Sequence, residues 1–598
     1  MKQISWNLRL LFNGDDDPSM EKKRAIVRKN SYAFIRKWQD RNDYLTKPAI
    51  LKQALDEYER WKRYYGPDGD EGYYFWLRTA QDQNSPALKA KFNKIDHFGK
   101  KIENDIRFFP LRIARIPVGR QRAFLEYPGL RTYRHHLERI FEEARYLLSE
   151  PEEKILNLKS ATSYSNWVKM TSSFLSKEER TVLSEDRKKT LKPFSEIMSL
   201  MNSSDKRVRD TAAKAFNGIL HSYADVAESE INSVLANKEV DDELRGIPRP
   251  DIARHVSDDI DTEVVDTLVK AVEDRFEIPR KYYALKARLM KVKRLKYHER
   301  NVEFGRITKT YSYPDSIRLV KRTLKGLDQK FLDILDSFTK NGQIDVYPRK
   351  GKAGGAFCSH HLITQPTYIL LNHTGRLSDV LTLAHELGHG INNEMVGEKH
   401  HALDFGTPTS TAEVASTFME DFVLEEILKE ADDELRLSIM LRKLNDDVST
   451  IFRQIACYRF EMDLHKEFRR RGYLSRKEIG ALFRKNMAAY MGKAVEQSPG
   501  SENWWIYWSH IRSFFYVYSY AGGLLISKSL QQSVKRDSRH IGRVKEFLSA
   551  GLSDSPKNIF RRMGVDITDR NFWHGGLDEI DGLLLETASL AGRLGKLH

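Results

Sequence analysis

Apolar residues recur at three- and four-residue intervals along most of this chain, the spacing that gives an α-helix one greasy face. In the first 200 residues MEKKRAIVRKNSYAFIRKWQDR, AILKQALDEYERWKRYY and YRHHLERIFEEARYLLSE carry it, divided by GPDGDEG and RIPVGRQRAFLEYPG. RIARIPVG and LEYPGL read as short extended pieces, and residues 151 to 200 as further helices with a polar gap. Two long helical runs, DKRVRDTAAKAFNGILHSYADVAESEINSVLANK and DTEVVDTLVKAVEDRFEIPRKYYALKARLMK, flank GIPRPDIARHV, expected to be a loop. SIRLVKRTLKGLDQKFLDILDSFTKNG follows as one helix, with Ile317, Val320, Leu324, Leu327, Phe331 and Leu335 on its stripe and Asn341 and Gly342 at its end. The texture then changes. QIDVYPRKGKAGGAFCSH and QPTYILLNHTG mix β-branched and aromatic residues with Gly and Pro, which predicts a small sheet before helical spacing resumes.

The first segment after that sheet carries the chemistry. In LSDVLTLAHELGHGINNEM, His385 and His389 lie four apart, so on a helix of 3.6 residues per turn both imidazoles can reach one metal ion. Val380, Leu381, Ala384, Leu387 and Gly388 recur at helical spacing beside them, and Ser378 is the expected N-cap. Glu386 falls next to the ion, as a general base for the attacking water. Catalytic zinc takes three protein ligands and keeps an open position. A glycine three residues on and a third histidine six on are excluded, because Asn392 and Met395 stand there. A glutamate from a second helix is the other solution. TSTAEVASTFMEDFVLEEILKE begins with N-cap candidates Ser410 and Thr411, and its first turn holds Glu413 beside an apolar stripe of Val414, Phe418, Phe422 and Ile427. A carboxylate there is costly unless paired or metal-bound. Glu413 is therefore the expected third ligand, with Glu420 and Asp421 as residues that orient an imidazole.

The runs YPRKGKAGGAF, YILLN, LTLAHELGHG and TSTAEVASTFMED together resemble the oligoendopeptidase F group of zinc oligopeptidases, relatives of thimet oligopeptidase and neurolysin. STIFRQIACYRFEMDLH is similar to that family's FRQ helix, SHIRSFFYVYSYAGG to its His and Tyr segment, and WNLRLLF to its N-terminal start, so the likeness spans nearly the whole chain. The resemblance implies a mostly α, two-lobed helical zinc-peptidase fold with a deep central channel and a small β-sheet beside the active-site helix. Residues 1–200 would form a helical lobe walling the channel and residues 201–598 the catalytic domain. It implies one Zn2+ on His385, His389 and Glu413, with short unstructured peptides cut at internal bonds. His510, Tyr516 and Tyr518 match the family's donors to the reacting carbonyl. Tyr518 ranks first, since on a continuous helix it sits about 80° from His510. The chain departs from the family where Ile511 and Arg512 replace aromatic residues after the histidine. Gly354, Gly355 and Ala356 are the expected substrate-contacting residues, where an extended peptide can lie against a strand edge. Arg453, Gln454, Glu461 and His465 read as a solvated or salt-bridged helix face.

Composition bounds the rest. With 598 residues, 40% hydrophobic and 31% charged, the chain is globular and long enough for two to four structural units. A formal net charge of +15 raises nucleic-acid binding, but RKYYALKARLMKVKRLKYHER interleaves cations with apolar residues as a solvated helix face does, and no nucleic-acid partner is expected. Two cysteines, Cys358 and Cys457, suit a reducing, cytoplasmic setting. MKQISWNLRLLFNGDDD has no uninterrupted apolar core, and SFFYVYSYAGGLLIS is too short and polar to span a bilayer, so neither a signal peptide nor a membrane partner is expected. A monomer or small homo-oligomer is anticipated. The rival readings are a peptide-binding protein with a vestigial metal site and a basic nucleic-acid-binding helical protein; the intact HELGH with Glu413 favours the enzyme.

Overall fold

In a computed structural model of the chain, which describes residues 4–305, 307 and 309–597, 70% of the residues are helical and 4% lie in strands. The chain folds as two compact units, each assembled from separated stretches. The first takes Met1–Arg145, Thr308–Lys429 and Leu530–Val565, the second Tyr146–Ile307, Glu430–Ser529 and Asp566–His598. This division does not coincide with a cut near residue 200, because long-range packing joins N-terminal helices to the central segment.

In the first unit the expected single helix from Ser316 to Asn341 is two, α1 (Tyr313–Leu327) and α2 (Gln329–Asn341). Asp328 makes the break: its carboxylate caps α2 by accepting the Lys330 N–H at 2.9 Å. Gly342, at φ +70°, ends α2 as anticipated. The small sheet follows, with β1 (Ile344–Asp345), β2 (Phe357–Ser359) and β3 (Tyr368–Leu370) in the order β1-β3-β2. β1 runs parallel to β3 and β2 antiparallel. WNLRLLF covers one face of this sheet. The Trp6 indole N–H donates to Ile369 O at 2.8 Å and its ring meets Tyr368 edge-on, so the N-terminal motif is a packing element. Next come α3 (Leu377–Lys399) and α4 (Ala412–Lys429), the helices of HELGH and of TSTAEV. Where extended pieces were expected, Phe108–Ala114, Val118–Leu125 and Pro128–Tyr133 are helical turns.

The second unit departs from expectation in three places. The polar gap after Pro151 is a hairpin, Glu179–Leu183 paired with Lys189–Pro193, where Thr181, Val182 and Thr190 supply β-branched positions. GIPRPDIARHV contains a short helix, Ile252–Ser257. The FRQ stretch starts with a π-helical turn, Val448–Phe452, before α5 (Arg453–Arg471). SFFYVYSYAGGLLIS leads into α6 (Tyr518–Arg536), most of whose first half is buried. Among the described residues no helix is long and apolar enough to cross a membrane.

Candidate metal centre

α3 begins one residue ahead of the anticipated Ser378 cap. The Asp379 carboxylate accepts the backbone N–H of Thr374 at 2.7 Å and of Arg376 at 3.0 Å, satisfying donors that an open helix start leaves unpaired. Val380, Leu383, Ala384, Leu387 and Ile391 are fully buried along one side of the helix, which leaves His385 and His389 on the flank that meets α4. Glycine decides how near α4 comes. A Cβ at Gly388 would stand 2.6 Å from both Ala415 O and Ser416 Cα, so only glycine permits this approach of backbones. Glu413, on the first turn of α4, is thereby carried up to the histidines.

The three side chains converge. Glu413 Oε2 lies 3.4 Å from His385 Nε2 and 3.7 Å from His389 Nε2, and one ligand atom from each residue falls within 4.8 Å of the other two. Ligands about 2 Å from a tetrahedral zinc are separated by roughly 3.3 Å, so this donor set fits such an ion. Glu420 completes the arrangement: its Oε2 is 3.3 Å from His385 Nδ1, the contact that fixes which imidazole nitrogen faces the metal. Asp421, the other expected orienting residue, accepts from Gln531 Nε2 at 3.0 Å instead. Ser416 Oγ donates to Glu413 Oε2 at 3.0 Å and steadies it.

Electrostatics follow from this crowding. The hydrogen bond to His385 pulls the Glu413 carboxyl down to about 2, against the opposing effect of burial. Burial works against a charged His385, but the Glu413 and Glu420 carboxylates outweigh it and raise that imidazole to about 10. Burial, with the neighbouring His385 charge, lowers His389 to about 4. Glu386 is buried too, which pushes its carboxyl up to about 7, against a smaller lowering from the nearby Cys358 backbone N–H. Glu386 thus sits between α3 and the edge of β2. The nearness of the Cys358 backbone to Glu386 has no side-chain signature in the sequence.

Gly354 and Gly355 are exposed and Ala356 half-buried just before β2; a Cβ at either glycine would meet nothing within 4 Å. Asn372 Nδ2 holds the loop by donating to Ala353 O at 2.9 Å and Gly355 O at 2.7 Å.

His510, Tyr516 and Tyr518 lie in the second unit, and the helix expected to join them is not continuous. Ser509–Arg512 is a 3-10 turn, Phe514 and Phe515 adopt φ of +51° and +56°, and α6 starts only at Tyr518. His510 is sandwiched between Trp508 and Tyr516, with ring centroids at 5.5 and 5.2 Å. The Tyr516 and Tyr520 hydroxyls are 3.4 Å apart. Tyr518 points elsewhere: it is 1% exposed, and its hydroxyl donates to Asp258 Oδ2 at 2.7 Å. A hydroxyl so committed is a poor donor to substrate, and Tyr516 replaces Tyr518 as the better candidate.

Arg512, the departure from the family pattern, has a definite role in this unit. It forms a bidentate pair with Glu230 at 2.6 and 2.8 Å and donates to Trp508 O at 3.1 Å, with both side chains buried. Glu461 and His465, expected on a solvated face, are buried; Glu461 Oε1 accepts the Phe515 N–H at 3.2 Å, and burial raises its carboxyl to about 8. Periodicity missed this because the polar residues face an aromatic wall, with the His465 ring 4.8 Å from that of Phe515.

Comparison with known proteins matches residues 199–578 to the family model for peptidase family M3 and residues 112–178 to that for oligopeptidase F. Oligopeptidase PepF of Bacillus subtilis is 25% identical over 97% of this chain and 87% of its own length. A crystal structure from Chlamydophila abortus shares the fold at a TM-score of 0.85 and 22% identity, with 98% of each chain covered. Oligoendopeptidase-F from Enterococcus faecium shares it at 0.69 and 19%, over 96% of this chain and 99% of that one.

Proposed function

We propose, on the premise that the chain belongs to peptidase family M3 and is a metallopeptidase hydrolysing peptide bonds, that it is a zinc-dependent oligoendopeptidase cutting internal bonds of short, unstructured peptides. The observation that carries this reading is the meeting of His385, His389 and Glu413 at zinc-ligand spacing with Glu386 one residue from a ligand. A cation bound there supplies Lewis-acid polarisation of the reacting groups. Glu386 takes the proton of the attacking water and returns it to the leaving amine, its carboxylate lying near the Cys358 N–H. Gly354, Gly355 and Ala356, beside the edge strand β2, contact the substrate backbone. We assign to His510 and Tyr516 the donation of hydrogen bonds to the carbonyl oxygen as negative charge develops. The unpaired cysteines Cys358 and Cys457 support a cytoplasmic place of work.

Mass spectrometry of a mixed peptide pool tests the reading. Internal cuts should appear, vanish with a chelator and return with added zinc, and peptides blocked at both ends should still be cut. Cleavage indifferent to chelation would overturn the zinc assignment, and failure on blocked peptides the endopeptidase assignment.

A further inference from the structure

β2 is an edge strand, paired on one side only, with Phe357 opposite Leu370, Cys358 opposite Ile369 and Ser359 opposite Tyr368. Ile369 turns its N–H to Gln343 O on the far side of β3, so Cys358 and Ile369 form a non-hydrogen-bonded pair; the Cys358 N–H therefore points away from β3, and the unpaired edge of β2 lies beside Glu386, the proposed general base. A peptide laid along that edge alternates its side chains between the two faces of the sheet. One face belongs to α3: the ideal Cβ position of Gly390 lies 3.6 Å from Ile369 Cδ1. A small cavity of about 220 Å³ opens near it, lined in part by Ala356 and Thr382. The other face, towards which Phe357 projects, has a larger one.

That cavity measures about 660 Å³, and its lining sets the rings of Trp76, Phe92 and Phe357 against the polar Gln83, Asn84 and Lys89, with Thr79 and Gly354 between. Trp76 comes from the helix Gly69–Gln81 of the same unit. It is 39% exposed, yet its ring is held edge-on to Phe357 at 5.2 Å. An open aromatic wall next to the edge strand, in a cavity of this size, gives a side chain of the substrate a face to pack on and leaves its polar backbone groups the opposite, polar side. We propose that this cavity is a side-chain subsite that takes an aromatic or long aliphatic residue of the substrate peptide, resting on the oligoendopeptidase reading above. From Cys358 back to Gly354 is four residues of chain, at most about 13 Å when extended. The captured residue therefore lies within about four positions of the cleaved bond, on one side of it only.

The test walks a phenylalanine through an alanine-rich quenched peptide, one position at a time, and compares kcat/KM with the all-alanine parent peptide. Burying much of an aromatic ring is worth on the order of tenfold in binding. A single position should therefore gain about tenfold, through KM. Trp76→Ala, which removes the wall, and Thr79→Trp, which fills the space and keeps the wall, should each bring that ratio to within about twofold of one. A wild-type enzyme that cleaves every peptide with no preferred position overturns the subsite alone, as does a preference that survives in both variants. A wild-type enzyme that cleaves none of them overturns the oligoendopeptidase reading and the subsite with it.

Discussion

The metal centre in the first unit and the His510–Tyr520 segment in the second are built by different means. The candidate metal centre draws its three proposed ligands from α3 and α4, two helices adjacent in sequence, and each position follows from helical period plus one close approach at Gly388. The second segment is an irregular turn with two successive non-glycine residues at positive φ, a conformation costing on the order of 1–3 kcal/mol for each. What holds it is remote in sequence. Glu230 on the helix Ala224–Arg245 grips Arg512, and Glu461 on α5 grips the Phe515 N–H. Regular elements can place catalytic groups by local rules, whereas a strained turn needs buried charge from elsewhere to fix it.

Breaking the metal centre gives the largest effect. Glu413→Ala should lose bound zinc, read by elemental analysis, and bring peptide turnover to background. Arg512→Gln breaks the second region: it leaves Glu230 buried without its partner, and loss of one member of such a pair costs roughly 3–5 kcal/mol. Its denaturation midpoint should fall steeply, whereas zinc content of the fraction that stays folded should not. Retained stability would contradict the clamp.

Glu461 sharpens the comparison through pH. Burial moves its carboxyl from 4.5 to about 8 in the folded protein, so between these values the folded state keeps a proton that the unfolded state releases. Its contribution to stability is full below about pH 4.5 and is lost as pH rises through about 8. Glu461→Gln carries no such proton. Thermal melts from pH 5 to pH 9 should show wild-type stability falling relative to the variant by a few kcal/mol; parallel curves would refute the buried, protonated carboxyl. The smallest effect belongs to Gly388→Ala, where the added methyl meets backbone that cannot rotate away. About 1–3 kcal/mol of stability should be lost, with weaker zinc retention in competition with a chelator.

The same contrast explains what the sequence revealed. HELGH, the helix bearing Glu413 and the small sheet were readable because apolar period and turn residues act over a few positions, and Glu420 stands two helical turns after Glu413 on the face that meets His385. The break at Asp328 was hidden because the apolar stripe runs through it unchanged. The hairpin at Glu179–Pro193 was hidden because its charged positions resemble a helix surface. Tyr518 looked like the better donor only while the segment was taken for one helix. Its burial against Asp258 depends on the short helix Ile252–Ser257, some 260 residues earlier in the chain.

The most direct measurement is of zinc content and turnover together in Glu386→Gln. The three proposed ligands are untouched, so the variant should hold as much zinc as the wild-type protein, one per chain on this account, whereas turnover of a quenched peptide should fall by about 10²–10⁴-fold with loss of the general base. Turnover close to wild type in a zinc-loaded variant would contradict the role assigned to this carboxylate and to the site around it.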